Sequence, residues 1–133
     1  MERTDSPIIS AWFVVTGMKF DPHECTRFFN IEPTEALTKG DVRTGKRPVV
    51  PHSSWNLKTK KKPSYNTDEA LQTLLDEIWE NRRRIKSAVK KHDLRITFVL
   101  CVTLTDDNKP FYCLSERTIS QIGYFNAPLH IDM

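Results

Sequence analysis

From Leu94 to Leu104 apolar and polar side chains alternate almost without a break, and this pattern constrains the fold more than any other in the chain. Leu94, Ile96, Phe98, Leu100, Val102 and Leu104 fall on one side; Arg95, Thr97, Val99, Cys101 and Thr103 fall on the other. Successive side chains of an extended chain point to opposite faces, so the segment predicts a long strand with one face in a core. Just before it, Leu71, Leu74, Leu75, Ile78, Trp79, Ile85 and Val89 recur at three and four residues, which predicts one long helix from Asn66 to about Lys91. Its ends agree with its middle. Asn66 and Glu69 fit a capping box, and Arg82, Arg83, Arg84, Lys86, Lys90 and Lys91 crowd the second half, where the helix dipole favours cations.

The segment Ile8 to Thr16, I-I-S-A-W-F-V-V-T, is rich in β-branched and aromatic residues and reads as a central strand, apolar on both faces toward its end. Asp21-Pro22-His23-Glu24 starts a short helix, with Asp21 as N-cap, Pro22 at the first helical position, Glu24 placed to close a capping box and Asn30 as the stop. Ile31 to Pro51 is broken by prolines and glycines and reads as a long irregular excursion; such loops in compact domains are usually functional or mobile. Ser53 to Thr59 is expected to be a half-exposed strand and Lys60 to Tyr65 a charged turn. Phe111 to Leu114 suggests a short strand. Ser115 caps a last helix to about Ile122, with Leu114 and Ile119 spaced as a hydrophobic staple, and Leu129 with Ile131 marks a closing strand. Two β-α-β halves around a connecting helix predict an α+β fold, a ferredoxin-like sandwich with an added long helix. At 133 residues the whole chain, 1–133, is expected to be one domain.

Charge is unevenly spread. Between Ala36 and Pro63 lie eight of the 20 basic residues (Lys39, Arg43, Lys46, Arg47, Lys58, Lys60, Lys61, Lys62) and one acid, Asp41, so this segment carries +7 and the remainder −4. A basic lobe on an acidic body attracts anions or acidic protein surfaces. No apolar run approaches the roughly 18 residues of a membrane span, and M-E-R-T-D-S-P lacks a signal peptide's apolar core, so a cytoplasmic protein without a membrane partner is expected. Cys25, Cys101 and Cys113 have no C-x-x-C spacing and are expected to be buried, reduced thiols. His23, His52, His92 and His130 show no metal-ligand spacing, and no glycine-rich phosphate loop is present. Neither a metal, a cofactor nor an enzymatic activity is expected.

The residues F-x-V-x-G (Phe13, Val15, Gly17), F-D-P (Phe20, Asp21, Pro22), Thr26, the I-E-P-T turn (Ile31 to Thr34), K-G-D (Lys39, Gly40, Asp41), W-x-L (Trp55, Leu57) and L-S-x-x-x-I-x-x-I-G (Leu114 to Gly123) occur in that order. In this the chain resembles a bacterial family known as domain of unknown function 4279, over most of its length. The Lys60-Lys61-Lys62 run and the basic excursion go beyond the family pattern. The resemblance implies a small single-domain protein, and some members are encoded near polymorphic toxins and read as candidate immunity proteins. The expected function is therefore non-enzymatic: occlusion of a cognate toxin domain of acidic or neutral surface, with Lys39, Asp41, Arg43, Lys46, Arg47 and Trp55 as partner-binding residues. Nucleic-acid binding through the basic segment 39–62 is the alternative, since cations hold phosphates and aromatics stack bases. Each feature also has a plainer reading. Lys39-Gly40-Asp41 with Pro33-Thr34 could hold an anion, with Thr34 and Lys39 as donors, or could be a self-braced loop, which is preferred. Trp55 on a strand is more often a core residue, and Arg82-Arg83-Arg84 more often a solvated helix face.

Overall fold

The computed structural model describes residues 6–18, 20–40, 52–105 and 108–133. Its strands are β1 (Ile8–Thr16), β2 (Glu35–Leu37), β3 (Ser54–Lys58), β4 (Lys62–Pro63), β5 (Arg95–Thr103) and β6 (Leu129–Asp132). Its helices are α1 (Pro22–Phe29), α2 (Thr67–Ile78), α3 (Arg82–His92) and α4 (Glu116–Tyr124). The strands form one mixed sheet in the order β2-β3-β1-β5-β6, with β4 pairing the start of β1. The fold is α+β. In a split β-α-β unit a further strand lies between the two that the helix joins, whereas β5 and β6, joined through α4, are direct parallel neighbours. The expected ferredoxin-like arrangement is thus not clearly shown.

β1 is central, antiparallel to β3 on one side and to β5 on the other. The register sets Phe13 against both Leu57 and Phe98, and Val15 against both Trp55 and Ile96, so one face of the sheet is continuously apolar. That face packs with Leu71, Leu74, Leu75 and Ile78 of α2 and Ile85 of α3 in a single core. Full burial of each such side chain stabilises the fold by about 1.5–3 kcal/mol. Phe13 holds the centre, edge-on to Trp55 (6.0 Å), Phe98 (5.4 Å) and Phe125 (6.1 Å). At the end of β1 a side chain would displace its neighbours: a Cβ on Gly17 would stand 2.8 Å from Leu94 Cδ2 and 2.9 Å from Phe20 Cδ1.

The helix starts follow their sequence signals in part. Asp21 accepts from the His23 N–H at 3.0 Å, and Asn66 from the Glu69 N–H at 3.2 Å. Glu24 lies 3.9 Å from Arg27 instead of closing a capping box. The expected single helix from Asn66 to Lys91 is two helices with a 3-10 turn, Trp79–Asn81, between them. The break falls where Trp79 packs on Tyr124 (5.4 Å) and Phe125 (6.1 Å), and beside Asn81, a weak helix former. Phe111 makes only an isolated bridge with Asn66 rather than a strand. Ile119 is 58% exposed, which is incompatible with a staple.

The start of α4 is tied to the start of α2. Ser115 Oγ accepts from the Thr118 N–H at 3.2 Å, while the Ser115 N–H and hydroxyl donate to Asp68 Oδ1 at 3.0 and 3.3 Å. Partial burial pushes the Asp68 carboxyl up, but hydrogen bonds from Thr118 and Ser115 outweigh it and hold the group below its ordinary value of 3.8. A lowered folded-state pKa means stability that is full above the unfolded pKa and lost as pH falls through the folded one. Asp68→Asn should therefore cost a modest ~0.5–1 kcal/mol near neutrality, because the site is largely solvent-screened. In urea melts the gap between the two proteins should close as pH falls from the carboxyl's ordinary value of 3.8 through its lowered folded value; a gap unchanged with pH would refute the role of the charged carboxylate.

Candidate partner-binding surface

The I-E-P-T turn begins the excursion and fastens it to the sheet. Thr34 Oγ1 accepts from the Lys58 N–H at 2.8 Å and donates to the Lys58 carbonyl at 3.4 Å, and the Thr34 N–H donates to the Asn56 carbonyl at 2.8 Å. The hydroxyl is therefore committed to the backbone, which leaves the anion-donor role without support at Thr34. The next three residues, expected to be irregular, form β2 against β3. Glu35 Oε1 receives Lys58 Nζ at 2.8 Å and Asn56 Nδ2 at 3.2 Å on the outer face of the sheet. Lys58 Nζ also lies 4.1 Å from the centre of the Trp12 ring, so this lysine is engaged by its own fold.

The Lys39 N–H donates to Ser53 Oγ at 2.9 Å, tying the middle of the excursion to the start of the chain that follows it, and Gly40 has φ +92°, a left-handed conformation that favours glycine. Lys39 itself is exposed. Asp41, Arg43, Lys46 and Arg47 lie outside the described residues. Trp55 is 0% exposed, its ring edge-on to Phe13 and Phe29 and its Nε1–H donating to Thr26 Oγ1 at 3.1 Å. It is a core residue. A side chain without accessible surface offers a partner nothing to touch, so Trp55 leaves the set of contact residues.

What replaces it is a feature with no sequence signature. Lys58 pairs with Trp12 and Lys62 with Ile9, so four steps along one strand span three along its neighbour. One residue is extra, and the Thr59–Lys61 stretch is a bulge. Thr59 pins it from both sides, its N–H donating to the Ala11 carbonyl and its Oγ1 accepting from the Ala11 N–H, each at 2.9 Å. The expected charged turn is therefore a strand edge, continued by β4 and braced by the Ser64 N–H to the Pro7 carbonyl at 2.9 Å. Bulges, lysines and proline together keep such an edge from pairing with stray strands. Between the bulge and α2 lies an open groove of about 530 Å³, with Ile9 and Ala70 among its apolar lining and Lys60, Lys61 and Lys62 along one side. Lys62 Nζ meets Glu69 Oε1 at 3.2 Å. Lys60 and Lys61 are exposed and have no ion-pair partner among the described residues.

A second basic surface is α3, R-R-R-I-K-S-A-V-K-K-H, which contains no carboxylate. Arg82 is turned inward, donating to the Trp79 carbonyl at 2.9 Å with its guanidinium over the Trp79 ring. His92 stacks on Phe28 at 4.6 Å and fixes α3 against α1. Arg83, Arg84, Lys86, Lys90 and Lys91 remain exposed. The absence of any acid over eleven residues is the signal that could have marked this face.

Burial pushes the Cys25 thiol up to about 12, with the Asp21 and Glu24 carboxylates adding to the shift. Burial, followed by Asp132, also raises Cys101. Both stay protonated near neutrality and are poor nucleophiles. Only Cys25 is fully buried; Cys101 is half-buried and Cys113 exposed, against the expectation for all three. Among the described residues no group of three His, Cys, Asp or Glu side chains could hold a metal ion, and no helix is long and apolar enough to cross a membrane.

No curated protein and no solved structure matches the chain. A family model, the domain of unknown function DUF4279, matches residues 7–133, from the start of β1 through the end of β6. That span covers the turn at Thr34, the core Trp55 and the α4 cap alike, and the chain accordingly belongs to the DUF4279 family.

Proposed function

We propose that this protein is a cytosolic, non-enzymatic binding protein, an immunity protein that neutralises a bacterial toxin domain by covering its active site. The lysine bulge carries the reading. Lys60 and Lys61 project from backbone held at Thr59, beside a groove with apolar lining, so little freedom is lost when a partner docks. A specific interface of ordinary size buries roughly 800 Å² on each side, and complementarity calls for an acidic or neutral toxin surface. The toxin link itself comes from the family resemblance. Tagged protein recovered from its host at moderate salt, with nuclease treatment, should retain one stoichiometric protein partner. Reversing both bulge charges (Lys60→Glu with Lys61→Glu) should weaken that complex by about tenfold or more, largely through slower association. An unchanged affinity would remove the bulge from the interface, and absence of any stoichiometric partner would end the immunity reading.

Nucleic-acid binding through the basic segment 39–62 is the second reading, and the acid-free face of α3 favours it by adding a further row of cations. In the same experiment, recovery only of nucleic acid and of proteins lost on nuclease treatment would put this reading first.

A further inference from the structure

Beneath α3, away from the bulge, the turn that joins α4 to β6 leaves an open cavity of about 510 Å³ against the start of β5. Its floor is core: Leu94, Ile96 and Phe125 line it and keep only 5%, 7% and 5% of their surface exposed. Its rim is cationic. Lys86, Lys90 and Arg95 line it, all three are exposed, and no carboxylate joins them. Lys86 Nζ sits 4.2 Å from the centre of the Tyr124 ring. Lys90 and Arg95 have no ion-pair partner among the described residues. Lys90 lies in the last turn of α3 and meets the negative end of that helix; Arg95 belongs to β5 and has no such role. An apolar floor of this size under several cations is the arrangement of a small-molecule site, where the floor takes up a ligand's body and the charges fix one end.

We infer that this cavity is a binding site for a small organic anion with a flat apolar body, an aryl carboxylate or a molecule of like chemistry. The body lies on Phe125 and Ile96, and the carboxylate meets Arg95 and Lys90 at the rim. Arg95 can offer two parallel N–H donors to a carboxylate, a geometry lysine lacks. Volume supports the size class, since ligand pockets run from about 300 to 1,000 Å³. The rim excludes a cationic ligand, because three positive charges face it with no acid to offset them. This site is separate from the lysine bulge and does not depend on the immunity reading.

The test is a titration of the 15N-labelled protein with 2-naphthoate, followed by amide chemical shifts, with neutral 2-naphthamide and cationic 2-naphthylmethylamine as comparisons. Saturable shifts should cluster at residues 86–97 and 125–128. Naphthoate should bind about tenfold more tightly than the amide, the factor expected when a charge-assisted contact is lost. Lys90→Gln with Arg95→Gln should remove that preference while leaving the rest of the spectrum unchanged and lowering the melting temperature only slightly, since both side chains are exposed and only the contact of Lys90 with the helix end is lost. Arg95→Lys should recover only part of it. Equal binding of the amide or the amine, shifts that cluster at Lys60 to Lys62, or no saturation by about 10 mM, weaker than about −3 kcal/mol, would each overturn the assignment.

Discussion

Trp55→Ala should lower the unfolding free energy by about 4 kcal/mol, within the range for deleting a large aromatic from a packed core. Two losses combine. The cavity opens between Phe13 and Phe29, which contact the indole edge-on from two directions, and the Thr26 hydroxyl loses the Nε1–H it accepts. In urea, with a slope of about 1–3 kcal/mol per molar, the midpoint should fall by roughly 1.5–4 M, followed by circular dichroism because Trp12 and Trp79 keep the fluorescence signal mixed. Trp55→Phe fills most of the space and should cost about half as much. A loss below about 1 kcal/mol for the alanine variant, ordinary for surface positions, would contradict the core assignment. A folded Trp55→Phe protein should still bind its partner fully, which separates core from interface.

Phe13→Ala should be comparably damaging, about 3–5 kcal/mol, for a different geometric reason. Phe13 lies on the middle strand, opposite Leu57 on one neighbour and Phe98 on the other, so the space it vacates is bounded by two strands that their own ladders hold apart. Collapse into the void is therefore restricted, and restricted collapse lies at the expensive end of large-to-small substitutions. Phe13 and Trp55 touch, so the double variant should fall short of the sum of the two by 0.5 kcal/mol or more, on the order of the coupling found between contacting residues. Strict additivity in a double-mutant cycle would show that the two rings do not share one packing unit.

Periodicity made the long elements legible. The alternation from Leu94 to Leu104 became β5, trimmed to Arg95–Thr103, and the Asp21, Asn66 and Ser115 signals each cap a helix where they stand. Short elements were not legible, because three residues of β2 and two of β4 cannot display a period; their pairing is fixed by Thr34, Thr59 and the strand beside them. Strand order was equally hidden. Alternation tells which face is buried but not which neighbour lies alongside, and here α4 joins adjacent strands. At the candidate site the Lys60-Lys61-Lys62 run stands out in the sequence, yet a bulge exists only in the register between two strands. Trp55 on a strand suits either a core or a contact role; its full burial, with the hydrogen bond to Thr26 29 residues away, makes it core. The cavity under α3 draws its floor from β5 and from Phe125, and its rim from α3 and β5, and no local pattern connects them.

The central pair of the sheet also governs how this chain reaches its fold. β1 finds β5 only across long separations, Thr16 opposite Arg95 and Ile8 opposite Thr103. Contacts so distant in sequence close slowly, because the chain between them must be ordered before they form. A nascent chain made only as far as His92 has its most apolar strand, I-I-S-A-W-F-V-V-T, lacking the partner that covers one whole edge. During that interval the unpaired edge is the segment most open to pairing with other chains. Synthesis speed and chaperone supply should therefore affect the yield of this protein more than substitutions in its late-made α4 and β6.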